Sequence, residues 1–140
     1  MQKANSYGKI ESIGEKLMST HCALGVKLED GSILGCYVHY DGYKEHMLPA
    51  IKAFVKDNTT TALHMLICKA SERGGIRSFY SLDEMCSTGD QRLTELLDDA
   101  DDPYIITKEN WSEDHGGTHA WYLVDYLTGK IDMKHTESGV

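Results

Sequence analysis

Glu29-Asp30-Gly31 stands between two alternating runs, Ala23 to Leu28 and Ser32 to Tyr40, and this arrangement limits the fold more than any other feature of the chain. An Asp-Gly pair flanked by alternating apolar residues is a strong hairpin signal. Loop length then matters most, because a slip of one residue exchanges the two faces of a strand. With a three-residue loop and Gly31 left-handed, Leu28 pairs with Ser32. Leu24, Val26, Leu34, Cys36, Val38 and Tyr40 then share one apolar face, and His21, Ala23, Gly25, Lys27, Ile33, Gly35, Tyr37 and His39 share the other. A two-residue loop divides the apolar residues between faces, so the three-residue register is the expected one. It also sets Gly25 opposite Gly35, a shallow trough where another group can approach the backbone closely.

Beyond the hairpin, Asp41-Gly42 turns the chain. Pro49 fits the first turn of a helix, which places the helix start near Met47 or Leu48. Leu48, Ile51, Phe54 and Val55 follow at helical spacing. Asn58 and the threonines after it end this helix and cap a second, whose inner stripe is Leu63, Leu66, Ile67 and Ala70. Gly74-Gly75 breaks the second helix, and Ile76 to Tyr80 reads as a strand. Leu93, Leu96, Leu97 and Ala100 mark a third helix, closed by Asp101-Asp102-Pro103, and Tyr104 to Thr107 is a short strand. A closing hairpin runs from Ala120 to Tyr126, turns through Leu127-Thr128-Gly129 and returns over Lys130 to Lys134. Near the start, Ile10, Ile13, Leu17 and Met18 recur close to helical spacing around Gly14. Hairpins at both ends with helices between them predict a single α+β domain over residues 1–140. Its sheet is mainly antiparallel, built from the N- and C-terminal hairpins, with two to three helices packed on one face.

A formal net charge of −8 argues against duplex nucleic acid or an anionic membrane as the main partner, because both need a basic footprint. The four cysteines, Cys22, Cys36, Cys68 and Cys86, form no C-x-x-C pair. The first residues lack the apolar run of a signal peptide, and no window approaches a membrane span. Reduced thiols in a cytoplasmic protein are the expectation.

Chemistry-bearing residues concentrate just after the second strand: His39, Asp41, Tyr43 and His46 fall within eight positions. Tyr37, His39 and Asp41 alternate, which lines them up on one face about 6.6 Å apart at ~3.3 Å per residue. A carboxylate one step from an imidazole fixes its tautomer and raises its pKa, which suits a general base. The simpler reading is a polar strand face in which Asp41 bonds its own backbone in an Asp-Gly turn. Arg73-Gly-Gly-Ile-Arg77 is the only compact basic element; it reads as a helix C-cap, or as an anion cradle of backbone N–H groups beside two guanidinium groups. Cys36-x-x-His39 with His115-x-x-x-His119 does not make a zinc site. Cys36 and His39 point to opposite faces of a strand, and Gly116-Gly117 disfavours the helix that two histidines four apart require. His115 to His119 reads instead as a loop able to fold over a ligand. Asp98-Asp-Ala-Asp-Asp102 lacks the spacing of a calcium loop and reads as a solvated linker. Cys36 and Cys68 read as inert core thiols. Trp111, Trp121 and Tyr122 read as core, with a stacking wall for a base as the alternative.

The segment Asp30-Gly31-Ser32-Ile33 followed by Tyr37-Val38-His39-Tyr40-Asp41-Gly42-Tyr43 resembles a family of small bacteriophage and bacterial proteins. These carry a Tyr-x-His-aromatic-Asp-Gly-Tyr segment after an Asp-Gly turn, usually with Trp where this chain has Tyr40. The close match covers about 20 of the 140 residues, with an aromatic strand near the C-terminus, here Trp121 to Val124, as a further parallel. The resemblance implies a phage or mobile-element setting, and with it counter-defence or host takeover in the host cytoplasm. The leading expectation is an accessory protein that binds a small nucleotide signal or a host protein, rather than an enzyme. Tyr37, His39, Asp41, Tyr43 and His46 would form the ligand site, with Arg73 and Arg77 as phosphate contacts and no metal or other cofactor. One alternative is a hydrolase or phosphodiesterase with His39 as base and Asp41 as its partner. A second is a self-assembling homo-oligomer in which a strand such as Tyr122 to Tyr126 adds to a neighbour's sheet.

Overall fold

The computed structural model describes residues 20–79, 94–97 and 103–135. The helix expected around Ile10 to Met18, half of the helix expected around Leu93 to Ala100, and the acidic run 98–102 lie outside those residues.

Strands β1 (His21–Lys27) and β2 (Ile33–Tyr40) form the expected hairpin in the expected register, with Leu24 against Cys36, Gly25 against Gly35 and Lys27 against Ile33. Leu28 N–H donates to Ser32 O at 2.8 Å, and Gly31 takes φ +87°. The Asp30 carboxylate closes the loop. It accepts from the Ser32 hydroxyl at 2.7 Å and the Ser32 N–H at 3.0 Å, and these bonds lower its pKa.

Two helices follow, α1 (Lys44–Asp57) and α2 (Thr60–Glu72). Helix α1 begins earlier than Pro49 alone implies, because its buried stripe of Met47, Ala50, Ile51 and Phe54 needs the extra turn. Pro49 therefore sits inside the helix and removes the N–H that would reach the Glu45 carbonyl, at an exposed position where water can replace it. The Thr59 side chain caps α2 by accepting from Ala62 N–H at 3.1 Å, and Leu63, Ile67 and Ala70 form its buried stripe.

The rest of the sheet departs from expectation. Strand β3 (Ile76–Phe79) returns from α2 and runs parallel to β2. Strand β4 (Thr94–Leu96) pairs antiparallel with β3, where leucine spacing predicted a helix. Pairing with the edge of β3 and packing of Leu96 against the core override that short pattern. The short β5 (Ile106–Thr107) pairs with the start of β2. Strand β6 (Thr118–Asp125) lies parallel to β1, and β7 (Ile131–His135) is antiparallel to β6. The order is β4-β3-β2-β1-β6-β7, with β5 also on β2. The fold is thus α+β with a mixed sheet and two helices among the described residues, not a mainly antiparallel sheet. The hairpins were visible as local signals, whereas parallel partners are joined through long crossovers that leave no local mark. The segment Tyr122 to Tyr126 is not an edge either; it lies between β1 and β7.

One face of the sheet, through Cys22, Leu24, Val26, Cys36, Val38, Ile76, Tyr122 and Val124, packs on Met47, Ile51, Phe54, Leu63 and Ile67. Cys22, Cys36 and Cys68 are free thiols. Burial pushes the Cys22 and Cys36 thiols up, which keeps them protonated and unreactive. Among the described residues, no helix is long and apolar enough to cross a membrane.

Candidate functional site

The opposite face of the sheet carries the polar residues. Its centre is not open. Trp111 lies in the Gly25–Gly35 trough so closely that a Cβ on Gly25 would stand 2.7 Å from Trp111 Cζ3, and one on Gly35 would stand 3.0 Å from it. The trough expected from the register exists, and the group that approaches it is the chain's own indole. Trp111 packs there on a second small core of Ala23, Ile106 and Trp121. Residues 103–117 therefore form a strap across this face. His115 anchors the strap. It is buried, its Nδ1 accepts from the Tyr104 hydroxyl at 2.7 Å, and its Nε2–H reaches the Trp111 carbonyl at 3.4 Å.

One end of the face gathers imidazoles. The β1–β2 register places His21 level with His39, and their rings stack with centroids 4.9 Å apart and planes 16° apart. His21 Nδ1–H donates to the His39 carbonyl at 2.6 Å. A carbonyl only accepts, so the proton sits on Nδ1 and the neutral ring carries its lone pair on Nε2. Tyr37, two residues before His39 on the same face, has its hydroxyl 2.8 Å from His39 Nδ1. Burial pushes the Tyr37 phenol up to about 12, so it is a neutral donor. Tyr40 meets the His39 ring edge-on at 4.5 Å. Arg77 lies on β3 between the Val38–Ile76 and Tyr40–Ser78 pairs, which sets it level with His39 and on the same face. Burial lowers the pKa of His39, and the adjacent His21 ring and the Arg77 guanidinium lower it further. His39 is therefore neutral at pH 7, with its Nδ1 hydrogen-bonded to the Tyr37 hydroxyl.

A neutral His39 differs from the ring expected beside a carboxylate, whose pKa would be raised. Asp41 takes φ +59°, so the strand alternation that would align it with His39 ends there. The following Gly42 is wedged against β1; an added Cβ would meet Cys22, His21 and Thr20 at 2.9 Å. The buried Tyr122 hydroxyl donates to the Gly42 carbonyl at 2.7 Å and fixes this corner. Tyr43 precedes α1 and His46 lies in its first turn, where His46 Nε2–H donates to the Phe79 carbonyl at 2.6 Å. His46 thereby ties the helix to β3. Arg73 stands exposed at the C-cap of α2, and Gly74 and Gly75 take positive φ, as the cap reading required.

Of the residues singled out from sequence, Tyr37, His39 and Arg77 share one face. Asp41, Tyr43 and His46 pass around the Gly42 corner, and Arg73 belongs to a helix end. His21 was missed as a site residue although the three-residue loop register already placed it on the His39 face. The loop 114–118 adjoins it, with a Cβ on Gly117 falling 3.5 Å from the His21 ring. The Asp114 carboxylate pins that loop by accepting from Gly117 N–H at 2.6 Å and Thr118 N–H at 3.1 Å, which lowers its pKa. Among the described residues, no three His, Cys, Asp or Glu side chains converge to hold a metal ion. A hollow of about 130 Å³ lies at the other end of the same face, lined by Lys27, Leu123, Asp125, Thr128, Lys130 and Asp132. A scan against protein-family models, a search of curated proteins and a search of solved structures find no match to this chain.

Proposed function

We propose that the chain acts by binding, and that the His21–His39 end of its sheet takes up a small phosphate-bearing nucleotide. One observation carries this reading: two stacked imidazoles, with two tyrosines against His39, stand level with an arginine, on a chain of net charge −8. Flat rings suit a base, and a guanidinium suits phosphate oxygens. The neutral His39 adds a hydrogen-bonding ring nitrogen, Nε2, without a fixed charge. In the phage setting that the sequence resemblance implies, such a protein would remove a nucleotide signal from its host.

The tautomer of His21 supports a second reading, phosphodiester hydrolysis. A lone pair on Nε2 is what a general base needs, and it moves that role from His39 to His21. One experiment separates the two. Calorimetric titration with mononucleotides, cyclic mononucleotides and cyclic dinucleotides is followed by mass spectrometry of the recovered nucleotide. Heat with intact nucleotide, lost in Arg77→Ala with the far-UV spectrum unchanged, supports binding. Heat with cleaved nucleotide, and cleavage lost in His21→Ala, supports hydrolysis. Absence of heat with every nucleotide removes both.

A further inference from the structure

Strand β7 ends the sheet, and its backbone has a definite open side. Asp125 N–H donates to Lys130 O at 2.8 Å, so Asp125 and Lys130 form a hydrogen-bonded pair. The β6–β7 register then makes Leu123–Asp132 and Trp121–Lys134 hydrogen-bonded pairs as well, because such pairs alternate along an antiparallel ladder. The N–H and C=O groups of Ile131, Met133 and His135 consequently point away from β6. Among the described residues no strand lies on that side. Asp132 and Lys134 are exposed and project to the Trp121 face, where the Lys134 ammonium stands 5.1 Å from the Trp121 ring centroid.

We propose that β7 pairs with β7 of a second copy of this chain, antiparallel, about a two-fold axis at Met133. Outward groups must meet outward groups, which restricts the axis to one of the residues Asp132, Met133 and Lys134. An axis at Asp132 opposes that carboxylate to itself and sets Lys130 against Lys134. An axis at Lys134 opposes that ammonium to itself. An axis at Met133 sets Asp132 against Lys134 of the second copy, twice. These are the non-hydrogen-bonded pairs, in which side chains lie closest, with Cα atoms about 4.5 Å apart. Charges on an edge strand ordinarily discourage pairing. Here the signs alternate so that they oppose the neighbouring registers and favour one. On the core face, Ile131 and Met133 pack against the sheet–helix core, so the joined edge also extends apolar contact between copies.

Five residues of edge bury far less than the roughly 1,600 Å² of a standard interface, so the dimer is expected in the micromolar-to-millimolar range. Sedimentation equilibrium of the full chain, up to about 1 mM, measures it. Asp132→Lys and Lys134→Asp should each weaken the dimer at least about tenfold, and the double variant should restore it to within about threefold. Met133→Pro removes an outward N–H from an edge strand, where proline is tolerated, and should also abolish the dimer with the far-UV spectrum unchanged. A monomer at every concentration overturns the proposal. So does a dimer that survives Met133→Pro, or single charge reversals that the double variant fails to rescue.

Discussion

Replacing Gly25 with alanine tests whether Trp111 holds the strap on the sheet. The new Cβ would stand 2.7 Å from Trp111 Cζ3 and 3.0 Å from Cη2, against the ~3.5–4.0 Å at which carbon atoms rest. The indole must move by most of an ångström, and Ile106 and Trp121 beneath it limit where it can go. Overpacking of this kind costs about 1–3 kcal/mol, and replacing a strand glycine returns about 0.5–1 kcal/mol, so Gly25→Ala should lose about 1–2 kcal/mol. In a Trp111→Ala background the clash is gone. The nearest remaining neighbour is the Leu34 carbonyl at 3.2 Å, and the same substitution should then be neutral or slightly stabilising. The coupling energy from the double-mutant cycle is therefore about 2 kcal/mol. Urea denaturation followed by far-UV circular dichroism measures it without relying on either tryptophan. Gly31→Ala is the control. It meets no atom within 4 Å, but its φ of +87° makes it cost about 1–2 kcal/mol through the backbone alone, regardless of Trp111. An equal loss from Gly25→Ala in both backgrounds would refute the placement of the indole in the trough.

Two further outcomes follow from the site. Tyr122→Phe should cost about 1–2 kcal/mol, because it leaves the buried Gly42 carbonyl without its donor; the urea midpoint checks this, and faster amide exchange at Gly42 should accompany it. The folded pKa of His39 lies below its ordinary 6.5, so the unfolded chain takes up that proton first. Its contribution to stability is whole above pH 6.5 and is lost as pH falls below 6.5 through the folded pKa. The urea midpoint of the wild type should accordingly fall further between about pH 7.5 and pH 5.5 than that of His39→Gln.

How much of this was legible depends on how local the signal was. The hairpin, its register and the close approach at Gly25 and Gly35 follow from the single run Ala23 to Tyr40, and all three appear in the structure. The stripe of α2 was equally plain. The parallel pairing of β1 with β6 was not, since the paired residues lie almost a hundred positions apart and each strand alone reads as half of a hairpin. Pro49 misplaced the start of α1 because one missing N–H costs less than leaving Met47 outside the core. The helix expected around Leu93 failed differently, over Thr94 to Leu96. Three leucines suit either period, and a vacant edge beside β3 decided the matter. In the candidate site, alternation correctly joined Tyr37 to His39 but carried Asp41 along with them, because a positive φ at a non-glycine residue leaves no mark in residue spacing. His21 was the opposite case: it was placed on the right face, and nothing local marked it as part of a site.

The strap also bounds what the histidine end can hold. Along β2, Gly35 and His39 are four residues apart, about 13 Å at ~3.3 Å per residue, and Tyr37 stands midway. Trp111 covers the Gly35 end, so a ligand seated on the His21–His39 pair meets the indole within about two residues of Tyr37. The loop 114–118 closes the His21 side. What remains along the strand is close to the length of one nucleotide, and a nucleic-acid strand lying along the sheet would collide with the strap. If the site binds as proposed, a mononucleotide and a dinucleotide should compete on nearly equal terms, and lengthening an oligonucleotide should add no affinity. In the Trp111→Ala variant the covering ring is gone, and affinity should then begin to rise with length. Titrations of both proteins with a length series at one salt concentration read this directly. Affinity that climbs with length while Trp111 is in place would show that the ligand does not lie on this face.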